Sequence, residues 1–177
     1  NLWLRYPKID NPKLLDQYRA VINSVCALGG SETFDIIRNE FDLALPPMLD
    51  KTIPITSAKP QNNAIIAATG VTLKKININL NTDLSCLGDE GFIIRTITHN
   101  GKKNIIITAN SDIAVLTGVF HFLSLLQTHQ PIENLNIKSI PKIKHRILSH
   151  WNNLDGSIER GYAGKSLWQW NDLPQKI

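Results

Sequence analysis

Between residues 12 and 28 the apolar positions Leu14, Leu15, Tyr18, Val21, Ile22, Val25 and Cys26 recur at spacings of three and four, the period of a helix with one buried face. Pro12 stands at its first turn and Gly29-Gly30 at its stop, so the pattern predicts an amphipathic helix over Pro12 to Leu28. A second helix is predicted at once: Ser31 offers an N-cap, Glu32 to Glu40 begins with an acidic turn, and Phe34, Ile37, Phe41 and Leu45 supply the apolar face. Pro46-Pro47 is expected to end it, because proline has no backbone donor. Ahead of both, Leu2 to Tyr6 predicts a short strand closed by Pro7.

The period then shortens. Ala64 to Ala68, Ile76 to Leu80, Phe92 to Thr98 and Asn104 to Thr108 are short runs rich in Ile and Thr, and each predicts a strand. The last two flank His99-Asn100-Gly101-Lys102, whose Asn-Gly pair predicts a hairpin. Ser111 caps a predicted helix of roughly eighteen residues, with Ile113, Leu116, Val119, Phe120, Leu123 and Leu126 on one stripe and Pro131 beyond its end. His121, inside that pattern, reads as a helix-surface residue rather than a ligand. Residues 1–137 thus predict an α+β domain, one mixed β-sheet with packed helices. From residue 138 to 177 the pattern changes: Pro141 separates two short apolar strands, and the second, His145 to Trp151, opens into a long loop rich in Gly, Asn, Trp and charge. Ser166-Leu167-Trp168-Gln169-Trp170 follows, and the whole resembles the first βα step of a repeated βα architecture whose remaining steps are missing.

Composition narrows the picture. A chain of 177 residues accommodates one ordinary domain plus a remnant. Hydrophobic residues at 42% and charged residues at 19% fit a globular chain. No apolar stretch approaches the roughly 20 residues of a membrane span, so no membrane partner is expected. The opening NLWLRY has no initiator Met, basic n-region or apolar h-region and leaves the compartment open. Cys26 and Cys86 lie far apart without a CxxC spacing or a histidine cluster, which argues against a metal site and predicts two buried, unreactive thiols. The net charge of +4 comes from dispersed Lys and Arg. The densest group, Lys138, Lys142, Lys144, His145 and Arg146, alternates with Ile140, Ile143 and Ile147 and has no interleaved aromatics, so it predicts a solvated strand edge and no nucleic-acid partner.

The candidate chemistry is concentrated in the tail. Trp151, Tyr162, Trp168 and Trp170 offer flat apolar faces suited to sugar C–H surfaces, while Asn152, Asn153, Asp155, Glu159, Arg160 and Lys165 offer hydrogen bonds and charge. Arg160 or Lys165 could meet a carboxylate. Asp155 and Glu159 would suit an acid and base pair, yet four residues of a Gly-containing loop do not fix a separation, and in glycosidases it is the spatial separation that decides the outcome. As a bland alternative, the same tryptophans could be core residues and the charges a solvated loop.

Residues 145 to 170, HRILSHWNNLDGSIERGYAGKSLWQW, resemble the segment where the catalytic barrel begins in the α-glucuronidases of glycoside hydrolase family 67. LWLRY near the start resembles the opening of their N-terminal domain. ITANSDIAVLTGVFHFLSLLQ resembles the last helix of the non-catalytic domain these enzymes share with β-hexosaminidases. One departure shows, Asn152 standing where the family pattern has Asp. The resemblance implies a hexosaminidase-type N-terminal domain followed by barrel strand 1 of a truncated TIM barrel. It further implies a parent enzyme that removes α-1,2-linked (4-O-methyl)glucuronic acid from glucuronoxylan-derived oligosaccharides with inversion. Trp151, Glu159, Arg160 and Trp168 would line the glucuronate pocket, with Asn153, Asp155 and Tyr162 behind them, because the C-terminal ends of barrel strands face the active site. The catalytic carboxylates would come from later strands, leaving no catalytic residue in this chain. No metal or organic cofactor is implied, and a homodimer of the full-length parent stays open.

Two other readings remain: a β-hexosaminidase-type hydrolase, which would lack the IERGYAG stretch, and a free-standing carbohydrate-binding module, which should close its own fold. Here the predicted final strand and loop have no partner pattern after them.

Overall fold

In the computed structural model the described residues are 5–57, 63–80, 82–99, 102–143, 146 and 147. The chain divides into two compact units, Asn1–Pro141 and Lys142–Ile177. Unit 1 is built on a six-stranded mixed sheet in the order β2-β1-β3-β5-β4-β6. The strands are β1 (Ser24–Leu28), β2 (Ile55–Thr56), β3 (Ala64–Thr69), β4 (Phe92–His99), β5 (Lys102–Ala109) and β6 (Asn136–Ser139), and the helices are α1 (Pro12–Val21), α2 (Glu32–Leu49), α3 (Gly70–Lys75) and α4 (Asp112–Gln127). β2, β1, β3 and β5 run parallel, while β4 is antiparallel to both β5 and β6.

The parallel strands are covered on both faces. On one, Val25, Ala27, Ile65, Ala67, Ile105 and Ile107 pack with Tyr18 of α1, Phe34, Ile37 and Phe41 of α2, and Val115, Val119 and Phe122 of α4. On the other, Cys26, Leu28, Ile66, Ala68 and Ile106 pack with Leu73 of α3 and Ile78. Burial on two faces explains why the predicted first helix is too long. It stops at Val21, and residues 24 to 28 form β1, every one buried. A strand covered on both sides has no polar alternation, so Val25 and Cys26 continue a helical period by coincidence. Arg38 of α2 ties the end of this strand to its helix, donating to the carbonyls of Ala27 at 3.0 Å and Gly29 at 3.1 Å.

Several other expectations are corrected. α2 does not end before Pro46-Pro47 but runs through both to Leu49. The carbonyls these prolines leave without an N–H partner, on Asp42 and Leu43, belong to exposed residues, whereas continuing the helix buries Met48 and Leu49 completely. Asp50, left-handed at φ 47°, caps the end. Ser31 is the N-cap residue, but its hydroxyl donates to Asp112 Oδ2 at 2.7 Å instead of capping, joining the starts of α2 and α4. Ile76 to Leu80 is not a strand: α3 fills the turn before it, Asn77 has φ 60°, and Ile78 donates its N–H back to the Leu73 carbonyl. Its alternation was legible all the same, since Ile76, Ile78 and Leu80 all face the second cluster. Of the predicted opening strand, Arg5 and Tyr6 are described and are not in a strand, Tyr6 being left-handed at φ 50°.

The hairpin register is that of a two-residue connection, His99 opposite Lys102. α4 is capped by Ser111, whose Oγ accepts the Ala114 N–H at 3.2 Å. Its buried stripe is turned from the predicted one: Ile113 is 59% exposed and Phe120 37%, while Ala114, Val115 and Phe122 are buried. The helix is apolar nearly all round, so periodicity fixed its existence better than its rotation. His121 is half-buried, its ring 5.5 Å from that of Phe92. Beyond residue 137, Lys138 and Ser139 belong to the sheet, opposite Ile93 and Phe92. Arg146 and Ile147, from the predicted strand His145 to Trp151, carry no strand, and Ile147 is 92% exposed. Cys26 is buried as expected; Cys86 is exposed, because in the 3-10 turn Ser85–Leu87 it is Leu87 that takes the buried position.

A Cβ placed on Gly118 of α4 would lie 2.8 Å from Ile107 Cγ2 and 3.3 Å from the Phe92 ring, whereas one on Gly30 meets nothing within 4 Å. Gly118→Val is therefore expected to cost about 1–3 kcal/mol through overpacking, and Gly30→Ala to stay within about 0.5 kcal/mol of the parent. Urea denaturation of the 177-residue chain compares the two, and equal midpoints would contradict this account of the α4–sheet contact.

Candidate functional site

The residues that sequence reasoning placed in a carbohydrate pocket, Trp151, Asn153, Asp155, Glu159, Arg160, Tyr162 and Trp168, lie outside the described residues, as do Asn152, Lys165 and Trp170. Among the described residues no group of His, Cys, Asp and Glu could hold a metal ion, and no helix is long and apolar enough to cross a membrane.

Within unit 1 a groove of about 320 Å³ opens where β3 and β5 end. Its position follows from topology. Parallel strands release their chains at their C-terminal ends, and crevices form there when successive connections diverge. β3 leaves directly into α3 at Gly70, while β5 leaves through Asn110 toward α4, and residues 78–80 and 82–85 close the gap between them. The walls are aliphatic, from Val71, Leu73, Ile78, Leu80 and Leu84, and the polar groups are Lys74, Asn79, Thr82, Asp83, Ser85 and Asn110. Gly70 lets the Leu84 side chain lie close against the start of α3, since a Cβ there would come within 2.4 Å of its Cδ1 and displace that methyl.

The polar groups are held by local bonds. Asn110 Nδ2 donates to the Leu84 carbonyl at 2.9 Å and to the Gly88 carbonyl at 3.0 Å, which fixes the amide plane. Asp83 accepts the Ser85 N–H at 2.9 Å on one oxygen and the Ser85 hydroxyl at 2.6 Å on the other. Those two bonds hold the Asp83 carboxyl below its ordinary range, with further help from the positive charges of Lys138 and Lys74. Arg95 supports the far wall, donating Nη1 to the Leu80 carbonyl and the Thr82 hydroxyl and Nε to Asn136 Oδ1. Behind the turn, Lys138 Nζ lies 2.9 Å from Cys86 Sγ. None of these groove residues was singled out from the sequence. The Asn-Thr-Asp-Leu-Ser run at 81–85 is a turn signal, but nothing in it shows that Asn110 comes alongside.

The family model described as "Glycosyl hydrolase family 67 N-terminus" matches residues 2–122, and that described as "Glycosyl hydrolase family 67 middle domain" matches residues 125–177. A protein of Aspergillus oryzae named "Probable alpha-glucuronidase A" is 26% identical over 169 residues, covering 94% of this chain and 19% of its own length. The Aspergillus terreus protein of the same name is 28% identical over 173 residues, with the same coverage, 94% and 19%. The chain thus spans 19% of the length of these curated relatives. Among solved structures, a family GH115 4-O-methyl-alpha-glucuronidase with specificity for decorated arabinogalactans aligns at TM-score 0.43 and 13% identity, over 67% of this chain and 17% of that one.

The Asp83 turn is acid-sensitive in a defined direction. A carboxyl whose folded pKa lies below the usual 3.8 contributes fully above pH 3.8, and the contribution is lost as the pH falls through the lower folded value. NMR titration should show the Asp83 carboxyl and the Ser85 amide shifting together with a midpoint below 3.8, and Asp83→Asn should abolish the Ser85 response. A second effect concerns Asn110. Asn110→Ala leaves the exposed Leu84 and Gly88 carbonyls to water in place of its amide, at a cost of about 0.5–1.5 kcal/mol. Hydrogen exchange should accelerate selectively in residues 84–91, and exchange unchanged there would refute the bracing role.

Proposed function

The chain belongs to glycosyl hydrolase family 67, and we propose that it is the N-terminal part of an α-glucuronidase. The observation that carries this reading is the succession of two family domains along one chain, residues 2–122 followed by 125–177, together with relatives named as alpha-glucuronidases over 94% of it. In this reading the unit Asn1–Pro141 is a hexosaminidase-type non-catalytic domain and the residues after it contain the first strand and loop of a TIM barrel. The full protein removes α-1,2-linked (4-O-methyl)glucuronic acid from xylo-oligosaccharides.

The chemistry assigns roles within the tail. Arg160 holds the glucuronate carboxylate, since a guanidinium presents two parallel donors to the two oxygens. Trp151 and Trp168 give flat faces to the sugar ring, Glu159 accepts from its hydroxyls, and Asn153, Asp155 and Tyr162 support them. Inversion needs a general acid on one side of the glycosidic bond and a base-activated water on the other, with carboxyl groups about 6.5–9.5 Å apart. Those carboxylates are assigned to barrel strands of the longer protein, so the 177-residue chain binds or shapes substrate without cleaving it.

In the full-length enzyme, Arg160→Lys keeps the charge and loses the fork, and it should lower kcat/KM on aldouronic acids by about 10- to 100-fold, equivalent to roughly 1.4–2.7 kcal/mol. Trp168→Ala should raise KM at nearly unchanged thermal stability. Assay of glucuronic acid release checks both, with the 177-residue chain expected to release none. Parental kinetics in both variants would remove the assignment of these residues.

A further inference from the structure

The groove at the ends of β3 and β5 has a composition that restricts what it can hold. Its volume of about 320 Å³ falls at the lower end of small-molecule sites, about 300–1,000 Å³. A purely apolar guest would displace water from the polar rim of Lys74, Asp83 and Asn110 without replacing the hydrogen bonds that water makes there. An anionic guest would meet the Asp83 carboxylate, and a cationic one the Lys74 ammonium. A neutral guest bearing several hydroxyls suits all three, because each hydroxyl both donates and accepts. Lys74 can only donate and ionised Asp83 can only accept. Asn110 spends Nδ2 on Leu84 and Gly88, so its fixed Oδ1 is the atom left to accept from a guest. Leu73, Ile78 and Leu84 supply the aliphatic surface that the C–H edges of a pyranose ring need.

We infer that this groove is a binding site for a neutral pyranose unit, held by Lys74, Asp83 and Asn110 against the Leu73, Ile78 and Leu84 walls. Among the described residues no aromatic side chain lines it, and for binding by hydrogen bonds and aliphatic contact alone a dissociation constant on the order of 1 mM is expected. Preorganisation comes from the protein itself: Ser85 fixes the acceptor carboxylate and the Leu84 and Gly88 carbonyls fix the amide. This site does not rest on the glucuronidase reading. The long protein could release glucuronic acid with the groove empty, and the groove could hold a sugar in a chain that cleaves nothing.

The test is a chemical-shift titration of the ¹⁵N-labelled 177-residue chain with xylotriose, with sodium glucuronate as an anionic comparison. Saturable shifts are expected in the amides of residues 70–85 and in the Asn110 side chain, weaker for glucuronate by about tenfold, or roughly 1.4 kcal/mol. Lys74→Ala, confined to the surface of α3, should weaken xylotriose binding about tenfold, and Val71→Trp, at a wall position 64% exposed, should block the mouth and abolish it. Both variants should keep the parental dispersion of signals from β3 and β5. Absence of saturable shifts in the parent, shifts confined to residues outside the groove, tighter binding of glucuronate than of xylotriose, or unchanged binding in folded Lys74→Ala and Val71→Trp would each overturn the assignment.

Discussion

Everything described in unit 1 depends on the burial of β1, β3 and β5 on both faces. Cys26, Ile66 and Ile106 point one way, and Ala27, Ala67 and Ile107 the other, each with no exposed surface. A parallel sheet of this kind cannot leave a face to water, so each side requires its own cover. The two covers differ. Among the described residues, one face carries α1, α2 and α4, and the other the six residues of α3 and the irregular chain that follows it.

That requirement overrides local preference in several places. Pro46 and Pro47 remain helical because ending α2 ahead of them would uncover Met48 and Leu49. Ser31 gives its hydroxyl to Asp112 rather than to its own helix, which couples the starts of the two long helices covering the first face. Asn104 is buried within β5, yet its Oδ1 accepts the Ala64 N–H at 3.1 Å, so a polar side chain bonds toward the neighbouring strand where β3 begins.

The sequence was most legible where a turn, a cap or a one-sided apolar stripe marked an element. The β4–β5 hairpin, α2's apolar face and α4's cap all follow from alternation, from Asn100-Gly101 and from Ser111. It was least legible where an apolar run carried no such marker: Val25 and Cys26 extended a helical period although they lie in a strand, and the nearly uniform apolarity of α4 hid which side faced inward. β2, two residues long, carries too little pattern to be seen. Family resemblance rested on different signals, the tryptophan-rich tail and its charged loop, and the family match agrees with it. The groove had no such signal, since it is assembled from residues 70 to 85 and Asn110, which only the crossover from β3 past β5 to β4 brings together.

The unequal covers also account for where a crevice can exist. Two long helices lie side by side over the first face, and their ridges fill the space above the sheet. A six-residue helix followed by turns cannot do the same, so the second face is closed by discrete braces: Arg95 to Leu80 and Thr82, Asn110 to Leu84 and Gly88, and Ser111 Oγ to the Asp89 carbonyl at 2.6 Å. Braces fix the chain at points and leave space between them. The polar atoms that do the bracing are necessarily at the edge of that space, which is why a groove with aliphatic walls acquires an oriented amide and an oriented carboxylate at its rim. Covering an apolar sheet with irregular chain thus produces, from the same hydrogen bonds, both the closure of the fold and a preorganised polar surface.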